Sequence, residues 1–126
     1  MVKYLSASIV IRFLFIFIFI SVLGLALYPN LRLPEFTPSG EYSDFVYHMI
    51  AFLLLTVSAT IALDRNVLVV ISMVSLAIAL ELLQAFVPGR SVFLIDVGAS
   101  LLGVLFALLT MQIWRRLSHT SWRHGS

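Results

Sequence analysis

Seven side chains in this sequence have types and spacings that chemistry can use: Asp44, His48, Glu81, Gln84, Arg90, Asp96 and Ser100. Asp44 and His48 are four residues apart and Glu81 and Gln84 three apart, so each pair shares one face of a helix. Asp96, Ser100 and Gly103 continue as i, i+4, i+7, a stripe of polar and small residues that also suits close helix packing. Carboxylates beside an imidazole are the usual groups of general acid–base catalysis. An arginine fork binds carboxylate or phosphate through two parallel hydrogen bonds. A hard divalent cation held by Asp44, Glu81 and Asp96 with His48 makes chemical sense. The spacing matches no metal-binding motif, however, so neither a metal nor a cofactor is expected.

The elements carrying these residues are read from composition. The chain has 126 residues, of which 61% are hydrophobic and 11% charged. Mean hydropathy is +1.07. Soluble domains carry roughly 25% charged residues, so this chain is too apolar to be one. Its length suits a single domain over 1–126. The absence of cysteine excludes disulfides, thiolate metal sites and a cysteine nucleophile. A basic pI near 9.4 does not imply nucleic acid, because the positive charge lies at segment ends and in the tail.

The apolar residues form four blocks, at about 8–28, 44–63, 67–86 and 93–114. Each is near the ~20 residues needed to cross a hydrocarbon layer ~30 Å thick. The blocks are too long for membrane strands and lack their alternation. The expected fold is all-α, an integral membrane bundle of four transmembrane helices. The connection YPNLRLPEFTPSGEYS reads as an exposed loop, DRN and VPGRS as tight turns, and the tail 115–126 as polar and frayed. A basic start and the weakly cleavage-like Gly24-Leu25-Ala26 resemble a signal peptide. The first apolar block is nevertheless longer than the roughly 7–15 residues of such a core, so it is expected to stay as a helix. Its alternating Phe13, Phe15, Phe17 and Phe19 read as lipid contact.

Charge sets the orientation. With the termini and the DRN turn on one side, that side holds Lys3, Arg12, Arg65, Arg115, Arg116 and Arg123, while Arg32 and Arg90 lie on the other. The positive-inside rule then makes both termini cytoplasmic. Asp44, His48, Glu81, Gln84, Arg90 and Asp96 all fall toward the outer face. Their shared depth predicts one polar cluster between helices. Each residue also has a structural reading. Asp44 and Asp96 are candidate N-caps of their helices, and His48 and Arg90 are candidate interfacial residues. Gln84 reads as glue between helices. A carboxylate as deep as Glu81 is costly unless paired, protonated or wet, and Arg90 or His48 could satisfy it.

The sequence resembles the VanZ-like family. The matching residues are Asp44 and His48 in DFVYHMIAF, then Glu81, Gln84, Phe86, Pro88, Gly89 and Arg90 in ELLQAFVPGR, then Asp96 and Gly103 in DVGASLLG. The resemblance spans roughly residues 40–108. Ser100 departs from it, since the family usually has Asn there. The resemblance implies a multi-pass protein of the bacterial cytoplasmic membrane and cell envelope, of a type associated with resistance to the antibiotic teicoplanin. It implies no particular reaction.

Three functions are consistent with these residues. The first is a non-enzymatic envelope protein that binds a membrane lipid, a lipid-linked envelope molecule or another lipophilic molecule at the outer leaflet. Arg90 then holds an anionic headgroup, His48 and Gln84 donate hydrogen bonds, and Asp44 and Asp96 fix the loops. Ser100 completes the ligand-binding set. The second is a membrane-embedded enzyme acting on an envelope lipid ester or phosphate, with Glu81 or Asp96 as general base, His48 as acid or base, and Arg90 stabilising developing charge. The third is a small proton-coupled carrier relaying protons through Glu81 and His48. Four helices leave little room for alternating access, so that reading requires a homo-oligomer, which the sequence allows.

Overall fold

The computed structural model describes residues 2–28, 43–63, 66–88 and 94–123, with side chains for 7–28, 45–63, 66–88 and 94–118. The described residues form four helices and no strand: α1 Val2–Leu27, α2 Ser43–Leu63, α3 Asn66–Gln84 and α4 Leu94–Arg123. Each contains a stretch long and apolar enough to cross a membrane: Ala7–Leu27, Phe45–Leu63, Asn66–Gln84 and Leu94–Ser118. The all-α membrane bundle expected from hydropathy is therefore the fold. Residues 1, 29–42, 64–65, 89–93 and 124–126, which include most of the first loop and of both tight turns, lie outside the described residues.

Three contacts define how the helices run. Gln84 at the end of α3 meets Ala26 at the end of α1, and His48 near the start of α2 meets Ser100 near the start of α4. Arg115, late in α4, donates to Asn66 at the start of α3 at 3.4 Å. Thus α1 and α3 run one way and α2 and α4 the other, an up-down bundle.

In lipid, apolar burial does not drive helices together, so association rests on close packing and hydrogen bonds between helices. Helices α2 and α4 share the most extensive interface. The α4 face turned inward is Asp96, Ala99, Ser100, Gly103, Val104 and Ala107, nearly all small. At Gly103 the backbone of α2 comes so near that an added Cβ would collide with the Met49 carbonyl oxygen. The packing role expected of the polar-small stripe is therefore real. On α3 the buried residues Val69, Met73, Ala77, Leu80, Glu81 and Gln84 follow a helical stripe that turns polar at its last turn.

Three details depart from the sequence reading. Helix α4 runs on to Arg123, so most of the tail expected to fray is helical. No Gly or Pro interrupts residues 115–123, and basic residues suit a helix C-terminus. Helix α3 stops at Gln84 rather than Phe86. The Phe86 and Val87 amides bond to the carbonyls of Leu83 and Gln84, both at 3.1 Å, a tightened last turn before Pro88. The phenylalanine run is divided. Phe13 and Phe17 are outward-facing, whereas Phe15 and Phe19 pack against the core, with ring centroids 6.1 Å apart. Positions four apart share a face, and here that face meets α2 and α3.

Thr56 is fully buried, and its hydroxyl has no hydrogen-bond partner among the described residues. Burying an unsatisfied hydroxyl costs about 1–3 kcal/mol. Thr56→Val keeps the shape and removes that cost, so it is expected to raise the thermal unfolding midpoint in detergent. A lowered midpoint would show that the hydroxyl has a partner.

Candidate functional site

The polar cluster lies at the end of the bundle where α1 and α3 finish and α2 and α4 begin. Helix α2 supplies His48, α3 supplies Glu81 and Gln84, and α4 supplies Asp96 and Ser100. Glu81 and Asp96 are 4% and 5% exposed, unusual for carboxylates. One ligand atom from each of His48, Glu81 and Asp96 lies within 4.8 Å of the other two. His48 Nε2 is 3.9 Å from Asp96 Oδ2. Its other ring nitrogen, Nδ1, is 3.4 Å from the Ser100 hydroxyl, which donates to the Asp96 carbonyl at 3.0 Å.

The convergence expected from shared depth is thus present for His48, Glu81 and Asp96, and Ser100 of the polar-small stripe joins them. Gln84 has a different partner. Its amide donates to the Ala26 carbonyl at 3.0 Å, satisfying one of the carbonyls that a helix end leaves open. It therefore ties α3 to α1, as the glue reading expects, while also lining a neighbouring cavity. Asp96 is not the N-cap of α4, because the backbone is already helical from Leu94. It sits in the first turn, where the helix dipole favours a carboxylate, and its side chain turns into the bundle. Helix α2 likewise begins at Ser43, ahead of Asp44. The Asp44 side chain and all of Arg90 lie outside the described residues.

Beside the cluster is a cavity of about 310 Å³ between α1, α2 and α3. Phe17, Ile18, Val22, Leu25, Ile50 and Leu54 supply much of its apolar wall, and Tyr47, His48 and Gln84 its polar groups. The sequence reading assigned the four α1 phenylalanines to lipid contact and did not single out Tyr47. Ser21, a polar residue one turn beyond Phe17, lines the cavity, but its hydroxyl bonds to the Phe17 carbonyl at 2.8 Å and so marks no ligand. A second cavity of about 410 Å³, bordered by Phe15, Phe19, Ala59, Val69 and Met73, has no titratable group in its lining.

Two buried carboxylates this close require compensating positive charge or hydrogen-bond donors. With an imidazole between helices and an apolar cavity alongside, the arrangement suits either the polar end of an amphiphile or acid–base chemistry on one. Comparison with family models, with curated proteins and with solved structures returns no match.

Proposed function

We propose that the chain is a VanZ-like protein of the bacterial cytoplasmic membrane that binds a lipid-linked or lipophilic envelope molecule. The observation that carries this reading is the cavity of about 310 Å³, apolar along α1 and α2 and polar at His48, Tyr47 and Gln84. Small-molecule sites are commonly mostly apolar with a few polar groups that set orientation. An amphiphile matches that division: its chain lies along Phe17, Ile18 and Leu54, and its headgroup reaches His48 and the buried carboxylates. Arg90, six residues beyond Gln84 in the sequence, is assigned to an anionic headgroup. The basic residues, six on the side of the termini and two on the other, support cytoplasmic termini and a site facing the outer leaflet. Altered tolerance to teicoplanin is the phenotype this reading expects.

A second reading, an enzyme acting on an envelope lipid ester or phosphate, is favoured by one observation: His48, Glu81 and Asp96 lie within 4.8 Å of one another. Mass spectrometry separates the two. Protein purified in detergent is incubated with a lipid-linked cell-wall precursor and, separately, with phosphatidylglycerol. The binding reading expects about one retained amphiphile per chain, unchanged in mass. A precursor of altered mass assigns the enzyme instead. Neither retention nor product rejects both.

A further inference from the structure

We infer that the second cavity takes one acyl chain of an anionic phospholipid, from the leaflet on the side of the chain termini, with Arg12 and Arg115 drawing the phosphate. The cavity of about 410 Å³ lies between α1 and α3, with the fully buried Ala59 of α2 behind it. Ser72, Ser75 and Ala79 line it yet are exposed, so it opens sideways, toward hydrocarbon in a membrane. An apolar hollow does not hold water, and its walls forgo dispersion contacts unless something fills it. On α3 the lining runs from Val69 to Ala79, about 15 Å at the helical rise. An extended hydrocarbon chain advances about 1.25 Å per carbon, so that length takes about twelve carbons. A volume of about 410 Å³ spread over it is far narrower than a helix of a second copy, which is about 10 Å across. The site is separate from the cavity beside His48: α1 turns Phe15 and Phe19 to the one and Phe17 and Ile18 to the other.

The charges choose the lipid. Arg12, Phe15 and Phe19 follow i, i+3, i+7, so they share the α1 face that meets the cavity. The bond between Gln84 and Ala26 sets the register of the parallel helices α1 and α3. Counting back along both brings Arg12 about level with Val69, at the end of the cavity nearer the termini. Arg12 lies five residues inside the apolar span that begins at Ala7, where a guanidinium is costly unless it snorkels out or meets an anion. Helical side chains lean toward the helix N-terminus, which for α1 is the direction of the interface. Arg115 is held at the start of α3 by its 3.4 Å bond to Asn66, and Asn66, Val69 and Met73 again follow i, i+3, i+7. On that side of the membrane the sequence has six basic residues and one acid, Asp64. An arginine fork matches a phosphate, and basic residues at this depth attract anionic headgroups. A hydrocarbon chain gains little by leaving the bilayer for the cavity, so the headgroup sets the preference and detergent removes the lipid.

The test is photo-crosslinking in phosphatidylcholine nanodiscs carrying a trace of probe lipid with a diazirine midway along one acyl chain. The probe is phosphatidylglycerol in one sample and phosphatidylcholine in the other, and peptide mass spectrometry locates the label. The phosphatidylglycerol probe is expected to label Phe19, Met73 or Leu76 at least tenfold more than the phosphatidylcholine probe, a factor on the order of what two basic residues supply. Arg12→Gln and Arg115→Gln should each lower that preference about fivefold, and Arg12→Lys should keep most of it. Ala79→Trp, which fills the opening, should cut the labelling at least tenfold, whereas Ala51→Trp in the other cavity should leave it unchanged. Equal labelling of the native chain by the two probes overturns the inference without recourse to any variant. So does a folded Arg12→Gln chain with the full preference, or labelling that Ala51→Trp abolishes. The chain has no cysteine of its own, so efficient disulfide linkage of two Ser72→Cys chains in the same nanodiscs would assign the opening to a second copy and also overturn it. Labelling here with no amphiphile retained beside His48 leaves this site standing and rejects the other alone.

Discussion

Gly103→Leu is expected to prevent the bundle from assembling, and Gly103→Ala to destabilise it by about 1–3 kcal/mol, the usual cost of forcing extra carbon into a packed interior. The atoms facing the missing side chain are the Met49 carbonyl oxygen and carbon and the Leu53 amide nitrogen, all backbone. A side chain can rotate away, but a helix backbone must move as a whole. Helix α2 would therefore have to withdraw along its largest interface. The consequence extends to the site, because Met49 follows His48 and Gly103 lies one turn beyond Ser100. Withdrawal of α2 would lengthen the 3.4 Å contact between them. Unfolding in detergent by heat or by a denaturing surfactant would measure the loss. A Gly103→Leu chain with native stability would show that α2 and α4 do not approach closely there.

The second large effect concerns the pair formed by His48 and Asp96, whose side chains are 16% and 7% exposed. His48→Leu is expected to cost about 1–3 kcal/mol, because it removes a polar group 3.9 Å from the buried Asp96 carboxylate. The double variant His48→Leu with Asp96→Leu should recover much of that loss, since apolar replacement of both members of a buried pair is often close to neutral. The signature is a coupling between the two positions, read from a double-mutant cycle of unfolding free energies. Purely additive losses would show that the two side chains do not interact. The same double variant should bind no amphiphile headgroup, which separates stability from function within one protein.

These expectations differ in how far the sequence alone could support them. The four helices were legible because a bilayer demands about 20 apolar residues per crossing, and the chain supplies four such blocks. Gly103 was legible as part of a small-residue stripe, and the common depth of His48, Glu81 and Asp96 followed from the alternating direction of the helices. The end of α4 was not. Loss of hydropathy after Trp114 marks where a helix can leave a membrane, not where the helix stops, and nothing between Arg115 and Arg123 breaks it. Lateral arrangement was also hidden. Depth can be counted along a helix, but which neighbours meet depends on packing between faces. The α1 sequence is apolar all round, so no stripe distinguished Phe15 and Phe19 from Phe13 and Phe17. For the same reason its contribution to the cavity wall could not be read. Gln84 illustrates the remaining ambiguity, since an amide at one helix end serves a ligand or a neighbouring carbonyl equally well, and only the position of Ala26 reveals the latter partner.

The central claim is that the cavity beside the polar cluster holds an amphiphile. Ala51 lines that cavity on α2, and Ala51→Trp places a large ring where the ligand's chain would lie. The decisive measurement is native mass spectrometry of amphiphile retained per chain after extensive detergent washing, on the native protein and on Ala51→Trp with matched helicity and unfolding midpoint. The expected result is about one retained amphiphile on the native chain and at least a tenfold loss on the variant. Equal retention by the two proteins, or none by the native chain, would contradict the account.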